Sequence, residues 1–209
     1  MQVKRRSKKA IKQALIIAVV LCGIFLMMSV VTINKENNTD FQLDRSLISD
    51  QVIAYEPLIK KYAKKYEVTA YTDVMLAMMM QESGGRGNDP MQSSESYCGK
   101  VGCIDDPELS IKQGVYYFSK TIDEANGDVE LAVQSYNFGR GFIDYVKDQT
   151  GNYTQQAAID FSQKMYQNAP DKSIYTCLRK EAKQYHACYG DIYYVRDVME
   201  YKEALENQS

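Results

Sequence analysis

From residue 47 onward, apolar side chains return every three or four positions, the period of a helix packed on one side. Val52, Tyr55, Leu58, Ile59, Tyr62 and Tyr66 form the first such stripe. Pro57 either kinks that helix or marks where its regular part begins. Lys60, Lys61, Lys64 and Lys65 form its solvated face. The next run is different: Val74 to Met80 is apolar without interruption and holds no Gly or Pro. It predicts a buried helix over 73–82, capped by Thr72 or Asp73 and ended by Gly84 and Gly85 at positive φ. Residues 83–109 lack periodicity and are punctuated by Gly and Pro, so they read as a long irregular segment. Helical spacing resumes at Ser110, with Ile111, Val115, Phe118, Ile122 and Ala125 on one face, and ends near Gly127. Asp128 caps a short helix over 129–136 that breaks at 137–141. A further helix starts at Phe142, and another covers 154–168 until Pro170 stops it. A final amphipathic helix spans 191–205. No strand alternation and no internal repeat is evident. The pattern predicts a mostly α domain over residues 47–205.

Upstream the pattern changes. Residues 1–12 hold six basic side chains and no acid, and Gln13 to Asn34 is an uncharged stretch long enough to span a bilayer as a helix. The expected organisation is a cytoplasmic basic tail (1–12), a transmembrane anchor (13–34), a polar linker (35–46) and the helical domain (47–205). Basic residues stay inside, so the domain faces outward as a single-pass extracellular unit. A cleaved signal peptide is the competing reading, but its apolar region is normally shorter and no clear cleavage site follows. A lipoprotein fits less well, because the apolar run continues past Cys22. The remainder of the chain holds 19 basic against 27 acidic residues. No basic patch there points to nucleic acid, and no motif names a protein partner.

Cys22 lies within the span. The other four cysteines leave three pairings open. Local disulfides, Cys98–Cys103 and Cys177–Cys188, are expected because each pair brackets a predicted loop in an oxidising compartment. Zinc is the rival reading, and the spacing of the two pairs does not match a zinc site. No metal and no cofactor is expected.

The candidate chemistry centres on Glu82. It ends a helix of apolar side chains, where burial and the negative helix terminus both favour the neutral acid. A carboxyl that keeps its proton suits general acid catalysis. The plain alternative is a terminal glutamate that reaches water. The irregular segment beside it contains Met91-Gln92-Ser93-Ser94-Glu95-Ser96, rich in donors and acceptors, and reads as a wall next to Glu82 or as a polar surface loop. The chain has 17 tyrosines and no tryptophan. Tyrosine offers a flat apolar face with a polar tip, which suits sugar rings as well as a half-buried core.

Three separated pieces, Gln81-Glu82-Ser83, Pro90-Met91-Gln92-Ser93-Ser94 and Ser135-Tyr136-Asn137-Phe138-Gly139, resemble the motifs of lytic transglycosylases and goose-type lysozymes, in the same order and at similar spacing. The likeness covers most of residues 50–200. It is nearest to the small membrane-anchored lysozyme-like branch of Gram-positive bacteria, including the N-terminal domain of CwlT-like wall hydrolases. The chain departs from the family loop at Asp89-Pro90, where Gly-Leu is usual. The resemblance implies a lysozyme-like helical fold with a groove for peptidoglycan glycan strands. It implies Glu82 as the general acid, with Ser83, Gln92, Ser93, Ser94, Tyr136 and Asn137 as substrate-binding residues. Ser83 would help the turn or bind an N-acetyl group. The implied reaction is cleavage of the β-1,4 bond between N-acetylmuramic acid and N-acetylglucosamine. Hydrolysis needs an activated water, for which Glu95, Asp89, Asp105 and Asp106 are the candidate second carboxylates. Transglycosylation uses the muramoyl 6-hydroxyl instead and leaves an anhydro end. A tethered glycan-binding module without turnover is the alternative of another class.

Overall fold

The computed structural model describes residues 47–149 and 151–207. The basic tail, the apolar span 13–34 and the linker 35–46 lie outside the described residues. Among the described residues no helix is long and apolar enough to cross a membrane, and no strand occurs.

The first apolar stripe forms two helices, α1 (Asp50–Ala54) and α2 (Glu56–Lys65). Ser49 caps α1, its hydroxyl accepting from Val52 N at 3.2 Å. Pro57 lies in the first turn of α2, where its missing N–H costs nothing. One continuous helix is excluded there because a proline ring clashes with the preceding turn.

The uninterrupted apolar run becomes α3 (Thr72–Glu82), entered through a 3-10 turn at Thr69–Tyr71. Neither Thr72 nor Asp73 caps it. Thr72 is already helical, and its hydroxyl donates to Thr69 O at 2.8 Å. Every side chain from Val74 to Met79 is buried, so α3 is sheathed on all sides. Each of its large side chains contributes roughly 1.5–3 kcal/mol by leaving water. Gly84 and Gly85 end the helix at φ 64° and 77°. A Cβ on Gly85 would stand 3.0 Å from Val52 N, so α1 can cross here only over a glycine.

The segment 83–109 is more ordered than its composition suggests. It contains α4 (Ser94–Cys98), and α5 (Pro107–Glu124) begins a turn before Ser110. Asp106 caps α5, accepting from Glu108 N at 3.1 Å, and Pro107 is its first residue. Then follow α6 (Val129–Phe138), α7 (Gly141–Gln149), α8 (Gln155–Asn168), a 3-10 turn at Lys172–Ile174, α9 (Lys180–Gln184) and α10 (Tyr194–Glu206). Asp128 caps α6 by accepting from Leu131 N at 3.0 Å. α6 runs through Asn137 and stops at Gly139, beyond the expected break. α10 starts later than expected, after a turn in which Asp191 Oδ1 accepts from Tyr193 N at 3.0 Å. The C-terminal helix α10 lies along α3, and α6 packs on both α5 and α10. Both local cysteine pairs, Cys98–Cys103 and Cys177–Cys188, are bonded.

Candidate active site

Glu82 stands at the end of the fully sheathed helix α3, and its own side chain is largely but not wholly enclosed. Tyr194, at the start of α10 and 2% exposed, donates its hydroxyl to Glu82 Oε1 at 2.6 Å. Burial raises the pKa of Glu82 to about 7. The Tyr194 hydrogen bond works against that rise, and the negative charges of Asp89 and Asp191 add to it. The carboxyl is therefore substantially protonated at neutral pH.

Asp89 is held in the irregular segment by a dense set of donors. Its Oδ1 accepts from Ser93 N (2.9 Å) and from Ser110 Oγ (2.5 Å). Its Oδ2 accepts from Ser94 N (3.0 Å) and Ser94 Oγ (2.6 Å). Burial alone would raise its pKa, but the hydroxyls of Ser110 and Ser94 and the two backbone donors outweigh it and hold the carboxyl below its usual range. Asp89 is thus the fastener of the loop. It clamps the first residues of α4 onto α5.

The sequence-predicted substrate residues divide by placement. Ser83 is buried; its hydroxyl donates to Pro90 O at 2.8 Å and accepts from Gly85 N at 3.0 Å. That is the geometry of a turn residue joining the end of α3 to the loop. Ser93 and Ser94 are each 2% exposed. Ser93 Oγ donates to Ser110 O at 2.9 Å, and Ser94 Oγ also accepts from Ile104 N at 3.2 Å. Gln92 is exposed, with φ 47° and its amide donating to Asp89 O at 2.9 Å. Tyr136 donates to Met91 O at 2.8 Å. Burial, then the charge of Glu82, pushes its hydroxyl well above the ordinary tyrosine value, so it remains a neutral donor. Asn137 Oδ1 accepts from Asp191 N at 2.8 Å.

A cleft of about 310 Å³ brings Gln92, Ser93, Glu95, Tyr136 and Asn137 together with Tyr117 and Tyr189. Glu82 does not line this cleft. The connection runs through Tyr136, whose ring walls the cleft and whose hydroxyl senses the Glu82 charge. Glu95 is exposed on α4 and reaches the cleft wall. Asp105 is exposed away from that lining, and Asp106 is spent as the cap of α5. Among the described residues no cluster of His, Cys, Asp or Glu could hold a metal ion.

Close approach seats Tyr136, a residue of the cleft wall, against α5. Gly114 on α5 meets Met91 and Tyr136: a Cβ there would stand 2.7 Å from Met91 Cβ and 2.8 Å from Tyr136 Oη. Sequence reasoning missed Tyr194, Tyr117, Tyr189, Ser110 and Gly114 as members of the site. A signal for Tyr194 existed: a polar-tipped residue stands on the buried stripe of α10 with Val195 and Val198.

The lysozyme-like family profile matches residues 49–202. The chain is 35% identical to the uncharacterized membrane protein YocA of Bacillus subtilis, over 99% of this chain and 92% of that protein. It is 38% identical to the bifunctional muramidase/DL-endopeptidase CwlT of Bacillus subtilis over 87% of this chain, and spans about half (52%) of that longer protein. A solved structure from Staphylococcus aureus, described as similar to a lipoprotein of the NLP/P60 family, superposes with a TM-score of 0.65 at 36% identity, over 74% of this chain and 53% of that one.

Proposed function

Because the chain belongs to the lysozyme-like family, we propose that it is a glycosidase acting on peptidoglycan, a muramidase that cuts the glycan strand between N-acetylmuramic acid and N-acetylglucosamine. The observation that carries this reading is the largely enclosed Glu82 carboxyl, whose pKa burial raises to about 7, next to Tyr136 of a tyrosine-walled cleft. The likeness to CwlT, a muramidase by name, supports it. Tyr194 occupies Oε1, so the acid proton belongs on Oε2, the oxygen left to meet the glycosidic oxygen. Glu82 gives that proton as the bond to the departing sugar breaks. The positive charge developing on the muramoyl ring then faces the carboxylate just formed. Gln92, Tyr136 and Asn137 would align the strand, and Ser83, Ser93 and Ser94 would hold the loop that shapes the groove. The membrane-protein name of YocA supports a membrane-anchored chain; the basic tail ahead of the apolar span favours the helical domain facing the wall.

One observation favours transglycosylation as the second reading. The two carboxylates whose charge reaches Glu82 are both engaged: Asp89 by three serines and Asp191 by Arg179. Glu95 is the acid left at the cleft to activate water. A reaction that uses the substrate's own 6-hydroxyl needs no such acid. Mass spectrometry of digested peptidoglycan separates the two: reducing muramoyl ends support hydrolysis and anhydro ends support transglycosylation. Intact strands after prolonged digestion would leave a binding module and refute both.

A further inference from the structure

Residues 177–193 lead into Tyr194, the residue that contacts the acid; Tyr189 of this segment lines the cleft, and Arg179 and Asp191 do not. Arg179 forks onto Asp191, with Nε to Oδ1 at 2.8 Å and Nη2 to Oδ2 at 2.7 Å. The same Nη2 also pairs with Asp197 on α10. Asp191 is 6% exposed. Its backbone is fixed as tightly as its carboxylate: Asn137 accepts from its N–H at 2.8 Å, and Gln134 Nε2 donates to its carbonyl at 2.9 Å. Gln134 and Asn137 stand three residues apart on α6, so one helix face grips both sides of this residue. The Asp191 carbonyl also accepts from Tyr194 N at 3.2 Å, opening the turn that leads into α10. Three residues beyond Asp191, Tyr194 delivers its hydroxyl to Glu82. The Cys177–Cys188 bond ties the segment bearing Arg179 to the segment bearing Asp191.

A bidentate, partly exposed arginine on a buried carboxylate is more than a surface ion pair. Its fork fixes orientation as well as charge, and breaking it leaves an uncompensated carboxylate in the interior. We propose that Arg179 is a positioning residue for the acid: it holds Asp191 in the turn from which Tyr194 reaches Glu82, and it does so without touching the cleft. The inference rests on the reading of Glu82 as the general acid. It also gives Asn137 a task besides any contact with sugar, since its carbonyl oxygen is already committed to Asp191.

The groups facing Glu82 are Tyr194 from α10, Tyr136 from α6, Asp89 from the loop and Asp191 from the turn. Removing Arg179 leaves Tyr136 and Asp89 in place. It frees the Asp191 charge and loosens the Tyr194 hydrogen bond, and both changes favour the protonated acid.

The test uses the full chain in detergent, with soluble glycan strands as substrate. At pH 5, where the acid is protonated in every variant, R179A should lower kcat roughly 10- to 100-fold, the cost of a misplaced catalytic group, and leave KM nearly unchanged. R179K keeps the charge without the fork and should recover part of the loss. In the Y194F background R179A should change kcat by no more than about twofold, because two residues acting through one contact are not additive. Carbon-13 titration of the Glu82 carboxyl should move upward in R179A. Wild-type kcat in R179A, additive losses in the double variant, or an unmoved Glu82 titration would each overturn the proposal. If R179A does not fold, R179K replaces it: reduced kcat with a raised titration supports the inference, and an unmoved titration refutes it. The titration is read without turnover, so it still decides the role of Arg179 should Glu82→Gln retain cleavage and the catalytic reading fail.

Discussion

Tyr194 donates its hydroxyl to Glu82 Oε1 at 2.6 Å across 112 residues of sequence, joining the last helix to the end of the central one. The contact leaves one carboxyl oxygen held and the other available. It also tempers the effect of burial, which would otherwise push the acid higher still.

Glu82→Gln should abolish cleavage. Glutamine keeps the shape and can still accept from Tyr194, but has no proton to transfer. General acid catalysis contributes about 10²–10⁴-fold, so zymograms should show no clearing. A folded Glu82→Gln protein cleaving at the wild-type rate would remove Glu82 from the mechanism. The same variant has a stability signature. The folded pKa is raised from 4.5 to about 7, so the stabilisation tied to the acid form is complete below about 4.5 and lost as pH rises through about 7. At pH 8 wild type carries the buried charge and Glu82→Gln does not, a difference on the order of 3 kcal/mol. Thermal melts should therefore separate the two at pH 8 and converge at pH 4.

With Glu82 as the proposed general acid, its protonated form would be the working form, and activity should fall as pH rises through about 7. Tyr194→Phe removes a hydrogen bond that lowers this pKa, so its alkaline limb should shift upward while its maximum rate drops. A limb that moved down, or stayed in place, would contradict the sign of that contact. Rates measured from pH 4 to 9 decide it.

Gly114→Ala should unseat Tyr136 from its place in the cleft wall. Alanine gains up to about 1 kcal/mol over glycine in a helix interior. The new methyl would collide with Met91 Cβ and Tyr136 Oη at 2.7 and 2.8 Å, and overpacking costs roughly 1–3 kcal/mol. The collision wins, so urea denaturation should show net destabilisation, with weakened glycan binding. A stabilised variant with unchanged binding would show that Met91 and Tyr136 give way to the methyl.

Asp89→Asn should loosen the loop. The amide can replace only one of two accepting oxygens, and hydrogen bonds to a charged group contribute about 1.5–3 kcal/mol each. Limited proteolysis should cut faster within 86–105. Because the folded pKa is depressed, the stabilisation from Asp89 is present above the ordinary aspartate value and lost as pH falls through the folded one. Wild type and Asp89→Asn should converge in strongly acidic solution. Equal protection of the loop at neutral pH would argue against the clamp.

Protease added to intact, wall-stripped cells should remove residues 47–205 if the basic tail faces the cytoplasm. Protection of the domain would reverse the orientation.

Much of this protein is written in one dimension. Period and glycine punctuation mark the helices, because burying one face of a helix demands apolar residues at threes and fours. The unbroken run before Glu82 marks α3 as central, since only a helix covered on all sides can be apolar all round. Local chemistry also singled out Glu82 itself. Where neighbours in sequence compete, the reading blurred: Pro107 looked like loop punctuation and is the first residue of α5, a role proline fills because that N–H has no helical partner. Tertiary structure alone decided the rest. That Asp89 is a fastener follows from Ser110 arriving from another helix. That Asn137 grips Asp191, and that Arg179 and Tyr194 converge toward Glu82, follows from how α6 and α10 pack against α3. A sequence states which side chains can hydrogen-bond; only packing of distant helices chooses their partners, because burial removes water as the alternative.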